Sequence, residues 1–134
     1  MLKIGLRVFK TKWFARFARR ERISDRSLAE AVRRTERGLV DADLGGGVIK
    51  QRLARPGQGR SGGYRVLIAY RRDVKAVFLY GFAKSERDNV DDDEFLTARD
   101  IAKGWLEADA NGIARAIAEG LIQEVDYDGK EEKA

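Results

Sequence analysis

The chain has 134 residues, 43% of them hydrophobic and 37% charged, which is typical of one globular domain. It contains no cysteine and no histidine, which excludes disulfides, thiolate chemistry, the usual transition-metal ligand sets and a histidine general base. No apolar run approaches the roughly 18 residues that span a bilayer, and no signal-peptide pattern is visible. We therefore expect a cytoplasmic protein with no membrane partner.

The net charge of +5 is divided unevenly along the chain. Residues 1–87 carry 22 Lys and Arg against 8 Asp and Glu, whereas residues 88–134 carry 5 against 14. The basic part favours a polyanionic partner, because each cation set against a phosphate releases a counterion. The alternative is a solvated basic surface that has no specific partner.

The first third of the chain predicts a strand and two helices. The strand covers residues 4–9, and an amphipathic helix over 11–21 is expected to bury Trp13 and Phe17. A second helix follows at 24–38, and the short link between the two helices favours a helical hairpin. The predicted buried stripe of the second helix consists of Leu28, Val32, Thr35 and Leu39.

Three strands are predicted in the middle of the chain, at residues 47–54, 63–72 and 75–83. The third is apolar enough to be covered on both faces. In the first, Lys50 and Arg52 are two positions apart, so they point to the same face of the sheet.

The loop between the first two of these strands contains a literal G-x-G-x-x-G at Gly57, Gly59 and Gly62. A dinucleotide-binding loop must lead from a strand into a helix, whose N-terminus binds the pyrophosphate. Here the following segment, 63–72, has the period of a strand. We therefore interpret the motif as accidental and the loop as a hairpin connection.

The acidic run at 91–94 predicts the start of a helix that extends to about residue 108, because carboxylates are favourable at a helix N-terminus. A shorter helix at 110–119 and an edge strand at 121–125 are expected next, followed by a frayed tail at 126–134. The residues expected to face inward are Phe95, Ala98, Ala102, Trp105, Ile113 and Ile117. Three adjacent carboxylates cannot all face one ion on a helix, so no metal site is predicted.

Three stretches, at 10–25, 36–72 and 77–90, resemble toxins of bacterial type II toxin–antitoxin systems. The resemblance is to the RelE/ParE superfamily, in its RelE/HigB-like branch, and covers about residues 9–106. It rests on the combination of the K-x-R strand, the glycine loop, the G-Y-R strand and the "YGFAKSERDN" turn.

The resemblance implies an α+β, microbial-RNase-like fold. Its twisted, mainly antiparallel sheet carries the N-terminal helical hairpin on one face and has C-terminal helices. The whole chain, 1–134, would then be one RelE-like domain with a core at about 1–106 and a helical extension at about 107–134.

The resemblance also implies a function. RelE-like toxins inhibit translation by cutting mRNA in the ribosomal A site, and they need neither a metal nor a cofactor. The expected partners are the ribosome, mRNA and a cognate antitoxin with a DNA-binding helix-turn-helix. In such a cleavage the 2′-OH attacks the adjacent phosphate, so a base, charge stabilisation and an acid are needed.

Four residues match basic positions of the family and are candidate catalytic residues. Lys50 is a candidate base or phosphate ligand, because neighbouring cations can lower the proton affinity of a lysine. Arg52 and Arg65 would clamp the scissile phosphate, and Lys84 would assist electrostatically. Further candidates for contacts with RNA phosphates are Arg55, Arg60 and Arg87.

The chain also departs from the family pattern. Ser85 follows Lys84 where RelE-like toxins carry an arginine, and no tyrosine stands near Asp91. Either Arg87 or Glu86 replaces the missing groups, or cleavage is slow, or the protein binds without cutting. The alternative functions are a non-catalytic RNA- or antitoxin-binding module and a ParE-like inhibitor of DNA gyrase.

A purely structural role is open for each candidate. The two strand cations can form a solvated strand face, and Arg65 can pair with Asp41, Asp43 or Asp88.

Overall fold

A computed structural model describes residues 5–55 and 62–127. The strands in these ranges are β1 (Arg7–Thr11), β2 (Ala42–Gly45), β3 (Val48–Leu53), β4 (Tyr64–Arg71), β5 (Lys75–Ala83) and β6 (Ile122–Val125). The helices are α1 (Lys12–Glu21), α2 (Asp25–Glu36), α3 (Asp92–Glu107) and α4 (Ala110–Ala118). No helix in the described ranges is long and apolar enough to cross a membrane. Arg60, most of the glycine loop and the tail beyond residue 127 lie outside the described residues.

The strands form one sheet in the order β2-β3-β4-β5-β1-β6. All neighbouring pairs are antiparallel except β1 and β5, which are parallel. The α+β fold with a mainly antiparallel sheet is therefore confirmed. Strand β5 lies inside the sheet and is buried along most of its length, as its apolar sequence predicts.

The first face of the sheet is covered by α1 and α2. Phe14 and Phe17 of α1 and Leu28 and Val32 of α2 belong to one buried cluster with side chains of the sheet. Gly81 on β5 permits this packing, because a Cβ atom there would lie 2.6 Å from the Phe17 ring. Fully burying side chains of this size contributes about 1.5–3 kcal/mol each.

The second face of the sheet carries α3 and α4. Ala98 and Ala102 of α3 and Ile113 of α4 pack in a second buried cluster that includes Leu67 and Val77 of the central strands. Small residues on α3 allow the helix to approach the sheet closely.

Helix starts follow local capping chemistry. The side chain of Asp91 accepts a hydrogen bond from the backbone N–H of Glu94, and the Glu94 side chain accepts from the backbone N–H of Asp91. This reciprocal capping box fixes the first turn of α3. Ser24 is the N-cap of α2 and Asp109 is the N-cap of α4. Each side chain accepts a hydrogen bond from the backbone N–H of the residue three positions later.

The glycine loop connects two antiparallel neighbours, β3 and β4, as the period of the sequence predicts. Gly63, at its end, lies so close to β3 that a Cβ atom would be 2.0 Å from the carbonyl oxygen of Leu53. Close approach of two strands explains this glycine without a nucleotide.

Several expectations are wrong in detail. The first strand occupies residues 7–11 instead of 4–9. The structure also contains the strand β2, which the sequence analysis does not predict. Leu39 is exposed, because α2 ends at Glu36 and the chain then turns through Gly38 at a φ of +82°.

Trp13 is 40% exposed, in contrast to the predicted core position. It follows the end of β1 and contacts Tyr80 on β5, with ring centroids 4.6 Å apart. Ile117 is also exposed, because the buried positions of α4 are Ile113 and Ala116.

Candidate functional site

The pairing of β3 with β4 brings three cations together on the second face of the sheet. Lys50 and Arg52 alternate with Ile49 and Gln51, which face the helices α1 and α2. In the β3–β4 register Arg52 lies directly opposite Arg65. We call Lys50, Arg52 and Arg65 the cationic cluster.

A carboxylate lies at the centre of the cationic cluster. The Nε of Arg52 donates a hydrogen bond to Oδ1 of Asp41 at 2.9 Å. Oδ2 of Asp41 lies 3.7 Å from Nζ of Lys50 and 3.7 Å from Nε of Arg65. The last two contacts are ion pairs that are too long to be hydrogen bonds.

The cluster is open on one side. The side chain of Arg52 is 47% exposed, whereas those of Lys50 and Arg65 are 14% and 5% exposed. An anion approaching from solvent therefore meets Arg52 first. The structure brings together three of the four predicted catalytic residues, and it also shows the pairing of Arg65 with Asp41 that a structural role requires.

The fourth candidate, Lys84, directly follows β5. Its backbone N–H donates to the carbonyl of Gly63, and its ammonium lies 3.9 Å from a carboxylate oxygen of Asp88. The side chain is 41% exposed, so this ion pair contributes little to stability. Lys84 is available to a ligand but is not part of the pairing around Asp41.

The arginines predicted to contact phosphate are placed differently. Arg55 lies over the ring of Tyr64, with its guanidinium carbon 5.7 Å from the ring centroid. Arg87 lies over the ring of Phe82 and donates hydrogen bonds to the carboxylate of Glu94. Arg60 lies outside the described residues.

Arg87 and Glu94 tie the turn after β5 to the start of α3. The hydrogen bond from Arg87, with those from the Asp91 N–H and the Tyr80 hydroxyl, lowers the pKa of Glu94 to about 2. Burial and the bond to Glu94 raise the pKa of Tyr80, so its hydroxyl remains protonated at neutral pH. Neither Tyr80 nor Glu94 is a candidate site residue on sequence grounds alone.

Asp41 is the residue of this site that the sequence identifies only as a structural partner. It precedes β2, and its backbone N–H donates to the carbonyl of Lys50. The sequence pattern that would predict β2, and with it the position of Asp41, is weak, because β2 is short and contains two residues, Asp43 and Gly45, that are unfavourable in strands.

Comparison with protein families gives a match to the RelE toxin of RelE/RelB toxin–antitoxin systems, over residues 6–125. No curated protein matches the chain at a significant level. The matched region contains the strands β1 to β6, the helices α1 to α4 and the cationic cluster. The chain belongs to the RelE toxin family of toxin–antitoxin systems, a membership that implies an antitoxin partner.

Proposed function

We propose that this toxin inhibits translation by cutting mRNA on the ribosome, with the cationic cluster as the site that binds the scissile phosphate. The observation that carries the proposal is the convergence of Lys50, Arg52 and Arg65 within 3.7 Å of one carboxylate group. These cations surround the Asp41 carboxylate in the free protein, and we infer that they surround the scissile phosphate when RNA is bound.

The proposed reaction is transesterification within the RNA strand. The 2′-oxygen bonds to the adjacent phosphorus, the bond to the 5′-oxygen breaks, and a 2′,3′-cyclic phosphate and a 5′-hydroxyl result. One proton leaves the 2′-OH and one is delivered to the 5′-oxygen. Negative charge grows on the non-bridging oxygens, so fixed cations at this point stabilise the transition state more than the ground state.

We assign the charge-stabilising role to Arg52 and Arg65. Arginine presents several N–H donors in a fixed plane, so Arg52 can hold Asp41 through Nε and offer its remaining donors to a phosphate. Lys50 is the candidate base or a third phosphate ligand. Lys84, Arg55 and Arg60 are proposed to contact flanking phosphates.

The test is brief expression of the protein in bacteria, followed by primer extension on cellular mRNA. We expect growth arrest and cuts at fixed positions within codons. Arg65→Met and Arg52→Ala should abolish both effects. Arg72→Ala is the matched control, because Arg72 is an exposed arginine in the turn at the opposite end of β4.

Two results would contradict the proposal. Codon-positioned cleavage that persists in well-expressed Arg65→Met protein would remove the cationic cluster from the reaction. Growth arrest with DNA damage and no mRNA cuts would indicate a gyrase inhibitor instead.

A second candidate function is a non-catalytic module that binds RNA or its antitoxin. The pairing of the cationic cluster with Asp41 favours it, because the cations are already partly neutralised. On this alternative neither growth arrest nor cuts appear, and RNA or antitoxin binding is retained.

A further inference from the structure

Asp41 is held in place by backbone as well as by charge. Its N–H donates to the carbonyl of Lys50 at 3.1 Å, which extends the β2–β3 pairing by one residue. Its side chain is 13% exposed, so the carboxylate lies mostly beneath the surface. The Asp41 carboxylate is therefore a fixed part of the cationic cluster.

The sheet itself creates the need for a carboxylate at this point. Arg52 and Arg65 are direct cross-strand partners, and like charges at opposed positions destabilise a sheet. Lys50, two residues from Arg52 on the same strand, adds a third positive charge. Asp41 forms ion pairs with all three cations, so its negative charge offsets part of their mutual repulsion.

The two oxygens of Asp41 are held with unequal strength. Oδ1 accepts a true hydrogen bond from Arg52, whereas Oδ2 faces Lys50 and Arg65 at 3.7 Å. Hydrogen bonds between charged groups are normally about 2.7–2.9 Å long. A phosphate oxygen that approached to such distances would therefore make stronger contacts with Lys50 and Arg65 than Oδ2 does.

We propose that the cationic cluster is an oxyanion site that the free protein occupies with its own Asp41, and that Asp41 thereby limits the affinity for free RNA. The ligand class is a phosphodiester. For RNA the inference rests on the proposed function, whereas the oxyanion site itself does not. In this arrangement, the binding of RNA away from the ribosome is weak, because a phosphate that enters the cationic cluster must compete with the Asp41 carboxylate.

The decisive variant is Asp41→Asn, which preserves shape and removes one negative charge. Asp43→Asn is the matched control. Asp43 lies two residues further along the chain, and its carboxylate accepts the N–H of Gly45 instead of contacting the cluster. Both variants change the net charge by the same amount, so any difference between them reports on the cluster.

The first measurement is the thermal midpoint of unfolding, as inorganic phosphate replaces chloride at constant ionic strength. We expect the Asp41→Asn variant to unfold at a lower temperature in chloride and to recover as phosphate is added. Wild type and Asp43→Asn should respond several-fold less. If the Asp41→Asn variant is unfolded in chloride, folding at low millimolar phosphate, below the concentrations at which phosphate stabilises proteins generally by exclusion, supports the proposal. Failure to fold at such concentrations counts against it.

The second measurement is the affinity for a 2′-deoxy-substituted RNA oligonucleotide that cannot be cleaved, as a function of salt. Removing the resident carboxylate should raise affinity about tenfold at low salt. It should also steepen the log–log salt dependence by about 0.7, the value for one further phosphate contact on a single strand. Equal affinity and slope for Asp41→Asn and Asp43→Asn would overturn the proposal.

The two proposals can fail separately. If phosphate stabilises Asp41→Asn selectively while Arg65→Met still arrests growth, the oxyanion site stands and the nuclease proposal falls. If Arg65→Met is inactive but the two aspartate variants respond alike to phosphate, the nuclease proposal stands and Asp41 does not occupy the site.

Discussion

Two arginines on opposite faces of the same sheet are almost equally buried, yet their surroundings differ. Arg34 of α2 is 6% exposed and packs on the first face, whereas Arg65 of β4 is 4% exposed and belongs to the cationic cluster on the second face. Burial and charge alone do not distinguish them.

Arg34 is held by a dense set of hydrogen bonds. It donates to Glu30 at 2.8 Å, to the side chain of Gln51 at 3.2 Å and to the carbonyl of Arg52 at 2.6 Å. Gln51 in turn donates to Thr35. Each contact is within hydrogen-bond length and involves a different acceptor, so this arrangement ties α2 to β3.

Arg65 has other cations as neighbours. Arg52 lies opposite it, Lys50 lies near the same carboxylate oxygen, and the contact with Asp41 is 3.7 Å long, while Nη1 of Arg65 also donates a hydrogen bond to the carbonyl of Tyr64 at 3.3 Å. Convergence of like charges costs stability, whereas the network around Arg34 adds to it. The difference indicates that the charge of the neighbours separates structural arginines from candidate functional ones.

The largest effect on stability is expected for Arg34→Met. The change leaves the buried Gln51 side chain and the Arg52 carbonyl without their donor, and we expect a loss of about 3–5 kcal/mol in the free energy of unfolding. Urea denaturation measures it. Arg37→Met, an exposed arginine just after α2, should change stability by no more than about 0.5 kcal/mol. Equal losses for the two variants would contradict the structural role of Arg34.

The second effect concerns Lys75, a buried lysine that is held by hydrogen bonds in the same way as Arg34. Its ammonium donates to the carbonyls of Trp105 and Ala108 at 2.8 Å each, at the C-terminal end of α3. Burial lowers its pKa, but the two carbonyls and the helix dipole favour a cation there.

We expect Lys75→Met to cost about 1–3 kcal/mol, because two carbonyl groups lose their donor. Hydrogen exchange at the last turn of α3 should become faster in the same variant. Lys103→Met, an exposed lysine on α3, is the control. Unchanged exchange at Trp105 and Ala108 would show that Lys75 does not hold the end of the helix.

The third variant, Arg65→Met, is expected to change the free energy of unfolding less than the first two variants but to have a large effect on growth arrest. Arg65→Met relieves the repulsion with Arg52 but also removes the ion pair with Asp41 and the hydrogen bond to the Tyr64 carbonyl, so the net loss in the free energy of unfolding should be about 1 kcal/mol. Growth arrest should nevertheless be lost. A loss of stability as large as that of Arg34→Met would erase the distinction between the two arginines.

The sequence predicts the common face of Lys50 and Arg52. Period-two alternation in β3 assigns Lys50 and Arg52 to one face, whereas Arg65 is predicted only from the family resemblance, because its face depends on the β3–β4 register. The alternation depends only on local backbone geometry, which is why it can be predicted without an alignment.

The position of Asp41 cannot be predicted in the same way. It depends on β2, four residues whose pairing with β3 includes a register shift between Asp43 and Gly45. The core position predicted for Trp13 is wrong for a similar reason, because helical periodicity does not reveal where α1 begins relative to β5. Both cases depend on contacts between distant segments instead of on local preference.

The smallest effect involves a third arginine, Arg87, whose partner Glu94 is held by hydrogen bonds at the start of α3. The Arg87 guanidinium is the main cause that lowers the pKa of Glu94 from 4.5 to about 2. Since the pKa is lower in the folded state, the stabilisation is complete above about pH 5 and is lost as the pH falls towards 2.

Glu94→Gln should therefore lower the free energy of unfolding at pH 7, and its difference from wild type should shrink between pH 5 and pH 2. Denaturant unfolding across this range measures the difference. Asp93→Asn, an exposed carboxylate in the same turn of α3, controls for the loss of charge near the helix N-terminus. If both variants follow the same pH profile, the hydrogen bonds of Glu94 contribute no more than its position near the helix dipole, and Arg87 would resemble Arg65 more than Arg34.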